Sequence, residues 1–300
     1  MIGFIFPGQG SQFVGMGRDL PYSLRGKFML KSSQILGYNL GKICEEGPEE
    51  ELKKTVHTQP AIVVTSIIAY EMVKDAGIVP DCVAGHSVGE FSALYAIGAL
   101  DFDSTIRLVS RRAELMEEYG RGTMAAVIGL PIDQVSEVVD SINGVVIANI
   151  NSPLQTVISG EVEAINKASE LLKAKDAKRV VPLKVGGAFH SFIYEEAAKI
   201  FADYIDSFEF RRPDFPILPN VTAELTDDPL VIKANLKKQI ISPVRWSETI
   251  INMAEAGVKT FVEIGPGKVL SGLIKRTVYG VKTINIFGRK DLDLLISELK

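Results

Sequence analysis

One segment of the chain, residues 81–99, restricts the choice of fold more than any other. Asp81–Ala84 predicts a short strand, and it runs without a linker into the sequence GHSVGE at Gly85–Glu90. The residues that follow, Val88–Ala99, are mostly small or apolar and predict a helix. A strand that turns directly into a helix through glycines is typical of α/β proteins with a parallel sheet.

The alternation of strand and helix continues on both sides of this segment. Ile2–Phe6 predicts a strand that stops at a Pro-Gly-Gln-Gly turn, and Ala61–Ala76 predicts a helix ended by Gly77. Asp103 is placed to cap a helix that runs to Tyr119. Two later apolar runs predict further strands of the same sheet: Lys259–Ile264 and Thr283–Phe287. We therefore expect a mostly parallel sheet with helices on both faces.

The middle of the chain follows a different order of elements. It predicts β-α-β-β-α-β over Met124–Gly129, Pro131–Ile142, Val145–Asn149, Thr156–Ser159, Val162–Ala174 and Arg179–Leu183. This order is ferredoxin-like, and its length suits an inserted subdomain. We expect two subdomains with a cleft between them: a larger one of residues 1–122 and 188–300, and a smaller one of residues 123–187.

Composition excludes several classes of protein. Of the 300 residues 46% are hydrophobic and 23% are charged, which is enough to bury a core. The net charge of −4 provides no general attraction to nucleic acid or to anionic lipid. Cys44 and Cys82 are too few for a disulfide framework. With no basic leader and no apolar segment of bilayer length, we expect a cytoplasmic protein without nucleic-acid or membrane partners.

Ser87 is the first candidate for chemistry, because it occupies the centre of a Gly-x-Ser-x-Gly pattern. Glycines allow the sharp turn that exposes such a serine, and the helix N-terminus favours negative charge there. The pattern alone is common. Its position between a strand and a helix carries the prediction that Ser87 is a nucleophile.

A serine nucleophile needs a base, and the chain has three histidines. His86 is adjacent to Ser87, so its side chain is expected to point away and to pack or bond the backbone. His57 lies in a polar stretch and is expected to be structural or exposed. His190 follows a flexible Gly-Gly-Ala-Phe approach, C-terminal to the serine as in α/β-hydrolases. Elimination and placement therefore favour His190.

The group that orients His190 is left open at this point. Five aspartates lie between the serine and the histidine, and none clearly follows a strand end: Asp101, Asp103, Asp133, Asp140 and Asp176. A carboxylate or a backbone carbonyl would each fix the imidazole tautomer, and a carbonyl would add no charge.

Arg112 interrupts the apolar face of a predicted helix. Positions 108, 115 and 119 on that face are Leu, Leu and Tyr, whereas 107, 111, 114 and 118 form a charged, solvated face. An arginine on the apolar face is expected to be partly buried, and a buried guanidinium needs an anion. Its planar fork suits a carboxylate. The alternatives are an internal salt bridge and a side chain that reaches past the core to solvent.

Neither a cofactor nor a metal site is predicted. Gly8–Gly10 is not followed by the Gly-Lys-Ser/Thr of a nucleotide loop, and Gly265–Gly267 predicts a tight turn. Cys, His and carboxylate residues do not occur together at the spacing of metal ligands.

Seven motifs, in order over nearly the whole chain, carry a resemblance to one family. They are Phe6–Gln12 (FPGQGSQ), Thr58–Ala61 (TQPA), Gly85–Glu90 (GHSVGE), Asn151–Gln155 (NSPLQ), Gly187–Ser191 (GAFHS), Ser242–Trp246 (SPVRW) and Glu263–Leu270 (EIGPGKVL). Together they resemble the malonyl-CoA:acyl-carrier-protein transacylase family. The resemblance implies an α/β-hydrolase-like large subdomain with a parallel sheet and an inserted ferredoxin-like subdomain.

The resemblance also implies roles for individual residues. Ser87 matches the acylated nucleophile, His190 the general base and acid, and Arg112 the arginine that binds the substrate carboxylate. The backbone N–H groups of Gln9 and Val88 would form the oxyanion hole.

Three further residues take a place in the site by the same resemblance. Gln239 matches the position whose backbone carbonyl orients the histidine, which would account for the missing aspartate. Gln59 and Asn149 are candidates for lining the pocket.

The activity implied by the resemblance is transfer of malonyl from malonyl-CoA to acyl carrier protein through an ester on Ser87, for fatty acid synthesis and without a cofactor. The alternatives are a serine esterase or thioesterase, a polyketide-pathway acyltransferase, and an inactive module that docks carrier proteins. By the same resemblance a preference for malonyl over a branched unit would fit the bulky Phe189 beside the histidine, and the choice of extender unit is left open at this point. Four basic residues are candidates for docking the acidic carrier protein: Lys184, Lys268, Lys275 and Arg276.

Overall fold

The computed structural model describes residues 1–299, within which strands and helices alternate along the chain. Its strands are β1 (Ile2–Phe6), β2 (Cys82–Gly85), β3 (Thr123–Ile128), β4 (Val145–Ser152), β5 (Gln155–Gly160), β6 (Arg179–Pro182), β7 (Thr260–Ile264) and β8 (Lys282–Ile286). Its α-helices are α1 (Tyr22–Leu36), α2 (Leu40–Glu46), α3 (Glu49–Lys53), α4 (Thr55–Asp75), α5 (Gly89–Ala96), α6 (Phe102–Glu118), α7 (Ile132–Asp140), α8 (Val162–Ala174), α9 (Glu195–Asp206), α10 (Pro229–Lys238), α11 (Trp246–Glu255), α12 (Val269–Thr277) and α13 (Arg289–Leu299).

The first sheet is parallel and has the strand order β2-β1-β7-β8. Phe4 and Phe6 of β1 belong to a core that includes residues of α4 and α5. Ile5, between them, belongs to a second core that includes residues of α11 and α12. Burial on both faces explains the unbroken apolar run of β1. The expected parallel sheet with helices on both faces is therefore confirmed.

The second sheet is antiparallel and has the strand order β4-β5-β3-β6. It is built from β3, α7, β4, β5, α8 and β6, the element order expected from the sequence. One face packs against α7 and α8 and forms a core of its own. Met124 and Ala126, on the other face, belong to the core that contains Phe4 and Phe6. The second sheet therefore packs directly against the parallel-sheet part of the molecule.

Two backbone hydrogen bonds join the second sheet to the chain that returns from it. The Val244 N–H donates to the Ala148 carbonyl at 2.8 Å, and the Ile150 N–H donates to the Val244 carbonyl at 2.9 Å. Through these bonds the segment after α10 lies beside β4. The turn at the end of α10 is thereby placed near the edge of the second sheet.

Helix α4 begins six residues before the predicted start and contains Pro60. A proline inside a helix leaves one carbonyl without its N–H donor, four residues earlier. Here that carbonyl belongs to Val56, and it accepts the Tyr38 hydroxyl at 2.8 Å. The predicted start at Ala61 was wrong because a distant side chain compensates for the proline.

The cap predicted for α6 was also wrong by two residues. Asp101, and not Asp103, is the N-cap, and its Oδ1 accepts the Ser104 N–H at 2.8 Å. Asp103 lies inside the first turn, where its charge still favours the helix N-terminus.

In residues 1–299 no helix combines the length and the apolar character that spanning a bilayer would take.

Candidate active site

Ser87 lies on the turn between β2 and α5, with a φ of 51°. This left-handed conformation is strained for a residue with a Cβ and is typical of functional turns. The flanking glycines make the turn possible. A Cβ on Gly85 would collide with the backbone of Gly89, and a Cβ on Gly89 would collide with the carbonyl oxygen of Phe6. The turn therefore has the geometry expected of a nucleophile elbow.

His190 lies 2.8 Å from the Ser87 hydroxyl, measured from Nε2 to Oγ. It follows the loop after β6, has a φ of 58°, and is 3% exposed. Neither of the other two histidines is hydrogen-bonded to the serine within the described residues: His86 bonds Asn151. His57 is in the first turns of α4, where its Nδ1 bonds the Glu51 carbonyl at 2.8 Å. His190 is thus the histidine that the fold brings to the serine, although 103 residues separate them.

Two backbone carbonyls hold the other nitrogen of the His190 ring. The Nδ1 atom is 3.0 Å from the Gln239 oxygen and 3.1 Å from the Ser242 oxygen. Carbonyl oxygens only accept, so Nδ1 carries the proton and Nε2 is left as the acceptor toward Ser87. The aspartates weighed above take no part in these contacts, so the ring is oriented without a carboxylate.

The imidazole of His190 is held in its neutral form. Burial, and then the positive charge of Arg112, lower the pKa of His190 to about 3, while the carbonyls of Gln239 and Ser242 act in the opposite direction. A neutral ring with a free Nε2 lone pair is the form that can accept a proton from Ser87.

Arg112, on α6, is 1% exposed and reaches the serine. Its Nη2 donates to the Ser87 Oγ at 3.2 Å, and its Nη1 donates to the Gln59 Oε1 at 2.7 Å. Within the described residues the guanidinium forms no salt bridge, and its buried Nε has no hydrogen-bond partner. Burial lowers the pKa of Arg112 to about 10, which leaves it charged at neutral pH. Neither alternative considered for Arg112, an internal salt bridge or a side chain in solvent, is observed.

Gln9 and Val88 flank the serine. Gln9 lies on the turn after β1 and lines the cavity at Ser87, and Val88 is the N-cap residue of α5. Neither backbone N–H is among those that donate hydrogen bonds within residues 1–299. Two free N–H groups near a nucleophile can stabilise a developing oxyanion.

The cavity at Ser87 has a volume of about 100 Å³ and lies between the two sheets. It is lined by Gln9, His86, Ser87, Met116, Met124, Asn149, Leu183, Val185, Phe189 and His190. Five of these ten residues are apolar: Met116, Met124, Leu183, Val185 and Phe189. Asn149 lines the cavity, as the resemblance predicted. Gln59 is not among the lining residues, and its side chain contacts Arg112 instead.

Some residues of the site were missed by the sequence reasoning. The ring of His86 packs edge-on against Trp246 at 5.4 Å, as expected, but the sequence did not predict that His86 lines the cavity or that its Nε2 bonds the Asn151 Oδ1 at 2.9 Å. Asn220 bonds the serine turn, its Oδ1 accepting the Ser87 N–H at 2.7 Å. Nothing in the local sequence around Asn220 indicates this contact, because 133 residues separate the two.

Residues 1–299 also contain no group of three His, Cys, Asp or Glu that could hold a metal ion.

The family comparison covers nearly the whole chain. Residues 3–298 match the acyl transferase domain family. The malonyl CoA-acyl carrier protein transacylase of Bacillus subtilis (strain 168) is 42% identical over 308 residues, covering 100% of this chain and 97% of that protein.

Solved structures have the same fold. The crystal structure of the Synechocystis sp. PCC 6803 malonyl-CoA:ACP transacylase has a TM-score of 0.92 at 40% identity, covering 98% of this chain and 99% of the other. The complex of a type II PKS acyl-carrier protein with its malonyl-transacylase has a TM-score of 0.96 at 37% identity, with 99% of each chain covered.

Proposed function

The chain belongs to the acyl transferase domain family, and we propose that it transfers a malonyl group from malonyl-CoA to the phosphopantetheine thiol of an acyl carrier protein. In this proposal Ser87 is the nucleophile, His190 is the general base and acid, and Arg112 binds the malonyl carboxylate. The relatives that support the substrate and the partner are malonyl transacylases, one of them solved with its carrier protein.

One observation carries the proposal: a buried guanidinium without a carboxylate partner is hydrogen-bonded to the nucleophile itself. The Nη2 of Arg112 is 3.2 Å from the Ser87 Oγ, and its Nε has no partner. Burying a charge that forms no salt bridge is costly, so an anion at the free donors of Arg112 would stabilise the site. A malonyl group esterified to Ser87 carries its free carboxylate about two carbon atoms from the ester carbon, within reach of this guanidinium. An esterase for uncharged acyl groups has no use for such an arginine.

The first half-reaction forms the acyl-enzyme. His190 Nε2 accepts the Ser87 proton while Oγ attacks the thioester carbonyl carbon. The N–H groups of Gln9 and Val88 stabilise the oxyanion, a contribution of about 3–4 kcal/mol per donor in enzymes with such a hole. The C–S bond then breaks, and the coenzyme A sulfur takes the proton from His190.

The second half-reaction reverses these steps with a different thiol. The pantetheine thiol gives its proton to His190 and attacks the ester, and Ser87 leaves as an alcohol by taking that proton back. The Gln239 carbonyl keeps the His190 tautomer constant throughout. The result is a ping-pong reaction that consumes no cofactor and uses no metal. The apolar walls formed by Met116 and Leu183 hinder attack by water on the ester between the two halves.

The architecture assigned here has two parts. Residues 1–122 and 188–300 form an α/β-hydrolase-like catalytic subdomain, and residues 123–187 form a ferredoxin-like subdomain. The sheet order β4-β5-β3-β6 and the element order of residues 123–182 support the second assignment. The cavity is lined by residues of both parts, among them Ser87 and Met124. We assign the enzyme to the cytoplasm.

The transferred malonyl unit serves fatty acid synthesis in this proposal. Four exposed basic residues provide candidate contacts for the acidic carrier protein: Lys184, Lys268, Lys275 and Arg276. A polyketide carrier protein is the alternative acceptor, and comparing transfer rates to carrier proteins of the two kinds distinguishes the pathways.

Intact-protein mass spectrometry after brief mixing with malonyl-CoA tests the proposal. The wild type is expected to gain one malonyl group, and Ser87→Ala none. Arg112→Met keeps an apolar stem but removes the charge, so it is expected to lose the preference for malonyl-CoA over acetyl-CoA. Arg111→Met is the matched control, because Arg111 is the adjacent residue on the same helix and pairs with Glu114 on the surface. Its preference should equal that of the wild type.

Two outcomes would contradict the proposal. Free malonate that accumulates without a stable adduct would make the protein a thioesterase, and the role given to Arg112 would be wrong. A wild type that neither gains mass nor releases coenzyme A would indicate instead a module that docks carrier proteins and catalyses no reaction.

A further inference from the structure

Glu90 is a buried carboxylate that the proposed chemistry does not use. It ends the GHSVGE motif, lies in the first turn of α5, and is 1% exposed. Within the described residues it forms no salt bridge. Burial raises the pKa of Glu90 to about 7, whereas hydrogen bonds from Gln239 and Asn220 and the charge of Arg112 act in the opposite direction. A carboxylate kept in so costly a position calls for an explanation.

One oxygen of Glu90 receives two hydrogen bonds from distant parts of the chain. Its Oε2 accepts the backbone N–H of Asn220 at 3.1 Å and the side-chain Nε2 of Gln239 at 2.8 Å. These donors lie 130 and 149 residues further along the sequence. Glu90 is therefore the point at which two separate loops are joined to the serine turn.

The first of these loops holds the serine. Asn220 accepts the Ser87 N–H on its Oδ1 at 2.7 Å and donates from Nδ2 to the Gly85 carbonyl at 2.5 Å. Its side chain thus binds the strained turn before and at the nucleophile. The bond from the Asn220 backbone to Glu90 fixes the position from which that side chain acts.

The second loop holds the histidine. The carbonyl of Gln239 is 3.0 Å from the His190 Nδ1, and the side chain of the same residue donates from Nε2 both to Glu90 and, at 3.1 Å, to the Ser87 carbonyl. The reverse orientation of this amide would direct its oxygen at two acceptors, so Nε2 must point toward them. Anchoring the side chain restrains the short 3₁₀ turn Gln239–Ile241 and with it the carbonyl that holds the ring.

We propose that Glu90 is a positioning residue: its carboxylate joins Asn220 and Gln239, and so keeps the Ser87 hydroxyl and the His190 ring in the relative position that proton transfer needs. This inference rests on the proposed function of the same site. Glu90 touches neither reacting atom and acts through its two donors. Its loss should therefore slow the chemical step and leave binding of malonyl-CoA through Arg112 nearly unchanged.

The test measures the single-turnover rate of Ser87 malonylation over a range of malonyl-CoA concentrations, by intact-protein mass. This gives a maximal rate constant and a half-saturating concentration for each variant. Glu90→Ala is expected to lower the rate constant about 100-fold, because small displacements of reacting groups have effects of that size. Glu90→Gln, which retains an oxygen acceptor, should lie between Glu90→Ala and the wild type. The half-saturating concentration should stay within about twofold, since no substrate contact is removed.

Gln239→Ala provides a second, independent variant if Glu90→Ala does not fold. It removes the Nε2 donor and retains the backbone carbonyl on His190, so it should slow acylation as well. Glu90→Gln retains an oxygen that can accept the Asn220 N–H, so its effect should run through Gln239, and the double variant Glu90→Gln/Gln239→Ala should be no slower than Gln239→Ala alone.

Glu263→Gln is the matched control. Glu263 is also fully buried, but it bonds the Leu270 and Ser271 N–H groups at the start of α12, away from the serine. This variant should unfold at a lower temperature and acylate at the wild-type rate.

The inference is overturned if the wild type is acylated while Glu90→Gln and Gln239→Ala match its rate constant, or if the effects of the two substitutions multiply in the double variant. A change confined to thermal stability, like that expected for Glu263→Gln, overturns it too. A wild type that is not acylated shows instead that the proposed function is wrong.

Discussion

The amide oxygen of Gln59 lies 2.7 Å from Nη1 of Arg112 and occupies the place where a buried arginine would ordinarily meet a carboxylate. The amide satisfies one donor of the guanidinium without neutralising its charge. The charge therefore remains available to an anionic substrate at the other donors, of which Nη2 faces Ser87. Helix α4 brings Gln59 to this place, and Pro60 follows it directly in the same helix.

Replacing this amide by a carboxylate should therefore weaken the binding of the malonyl carboxylate to Arg112. In Gln59→Glu the new side chain would pair with Arg112 and compete with the substrate carboxylate. We expect malonyl-CoA acylation to fall about 10- to 100-fold, since a hydrogen bond to a charged group contributes about 1.5–3 kcal/mol. Acetyl-CoA acylation, which has no carboxylate to lose, should change little. The ratio of the two rates is the measurement.

Glu114→Gln serves as the control for a changed charge near Arg112. Glu114 lies on α6, as Arg112 does, but it is exposed and pairs with Arg111. An unchanged malonyl-to-acetyl ratio in Gln59→Glu would mean that Arg112 does not receive the carboxylate.

The ring of His190 should stay neutral at acidic pH. Its pKa is lowered to about 3 by burial and by Arg112, so protonation is disfavoured as the pH falls through the ordinary histidine value of 6.5. NMR of the histidine rings should show no protonation of His190 between about pH 8 and 5, where an unperturbed imidazole titrates. Arg112→Met should raise the pKa of His190, since it removes the second cause of the depression, while burial keeps it below the ordinary value. A midpoint near 6.5 in the wild type would contradict this account.

Two glycine substitutions of the same kind should have opposite effects on stability. A Cβ on Gly89 would collide with the carbonyl oxygens of Phe6 and Pro7, so Gly89→Ala should destabilise the fold by about 1–3 kcal/mol, as overpacking does. Gly26 is exposed within α1 and has free space around it, so Gly26→Ala should stabilise by about 0.5–1 kcal/mol. Thermal unfolding of both variants tests the pair. A Gly89→Ala variant as stable as the wild type would mean that the turn relaxes around the added methyl group.

Local patterns predicted much of the fold and part of the site. The strands of the parallel sheet and the βαββαβ order could be predicted because hydrophobic runs and turn residues repeat at short range. Ser87 was selected by its glycines, and Arg112 by its place on the apolar face of α6. Both choices depend on residues within about one or two helical turns, which a sequence displays directly.

Errors arose where a distant residue changed a local rule. The predicted start of α4 missed its first six residues, where Tyr38 satisfies the Val56 carbonyl that Pro60 leaves without a donor. The ring of His86 packs as expected, but its hydrogen-bond partner Asn151, 65 residues away, was not predicted. Neither contact has a signal in the segment that it changes.

The sequence by itself determined an α/β chain with a serine elbow and a buried arginine, because those features follow from short-range spacing and residue type. Only the tertiary structure decided what surrounds them. The ring of His190 is held by the carbonyls of Gln239 and Ser242; Gln239 was named only through the family resemblance and Ser242 not at all, because every residue has a carbonyl and no side-chain type identifies it. The hydrogen bonds of the Glu90 carboxylate likewise depend on the tertiary structure, because the fold brings Asn220 and Gln239 to it across more than a third of the chain.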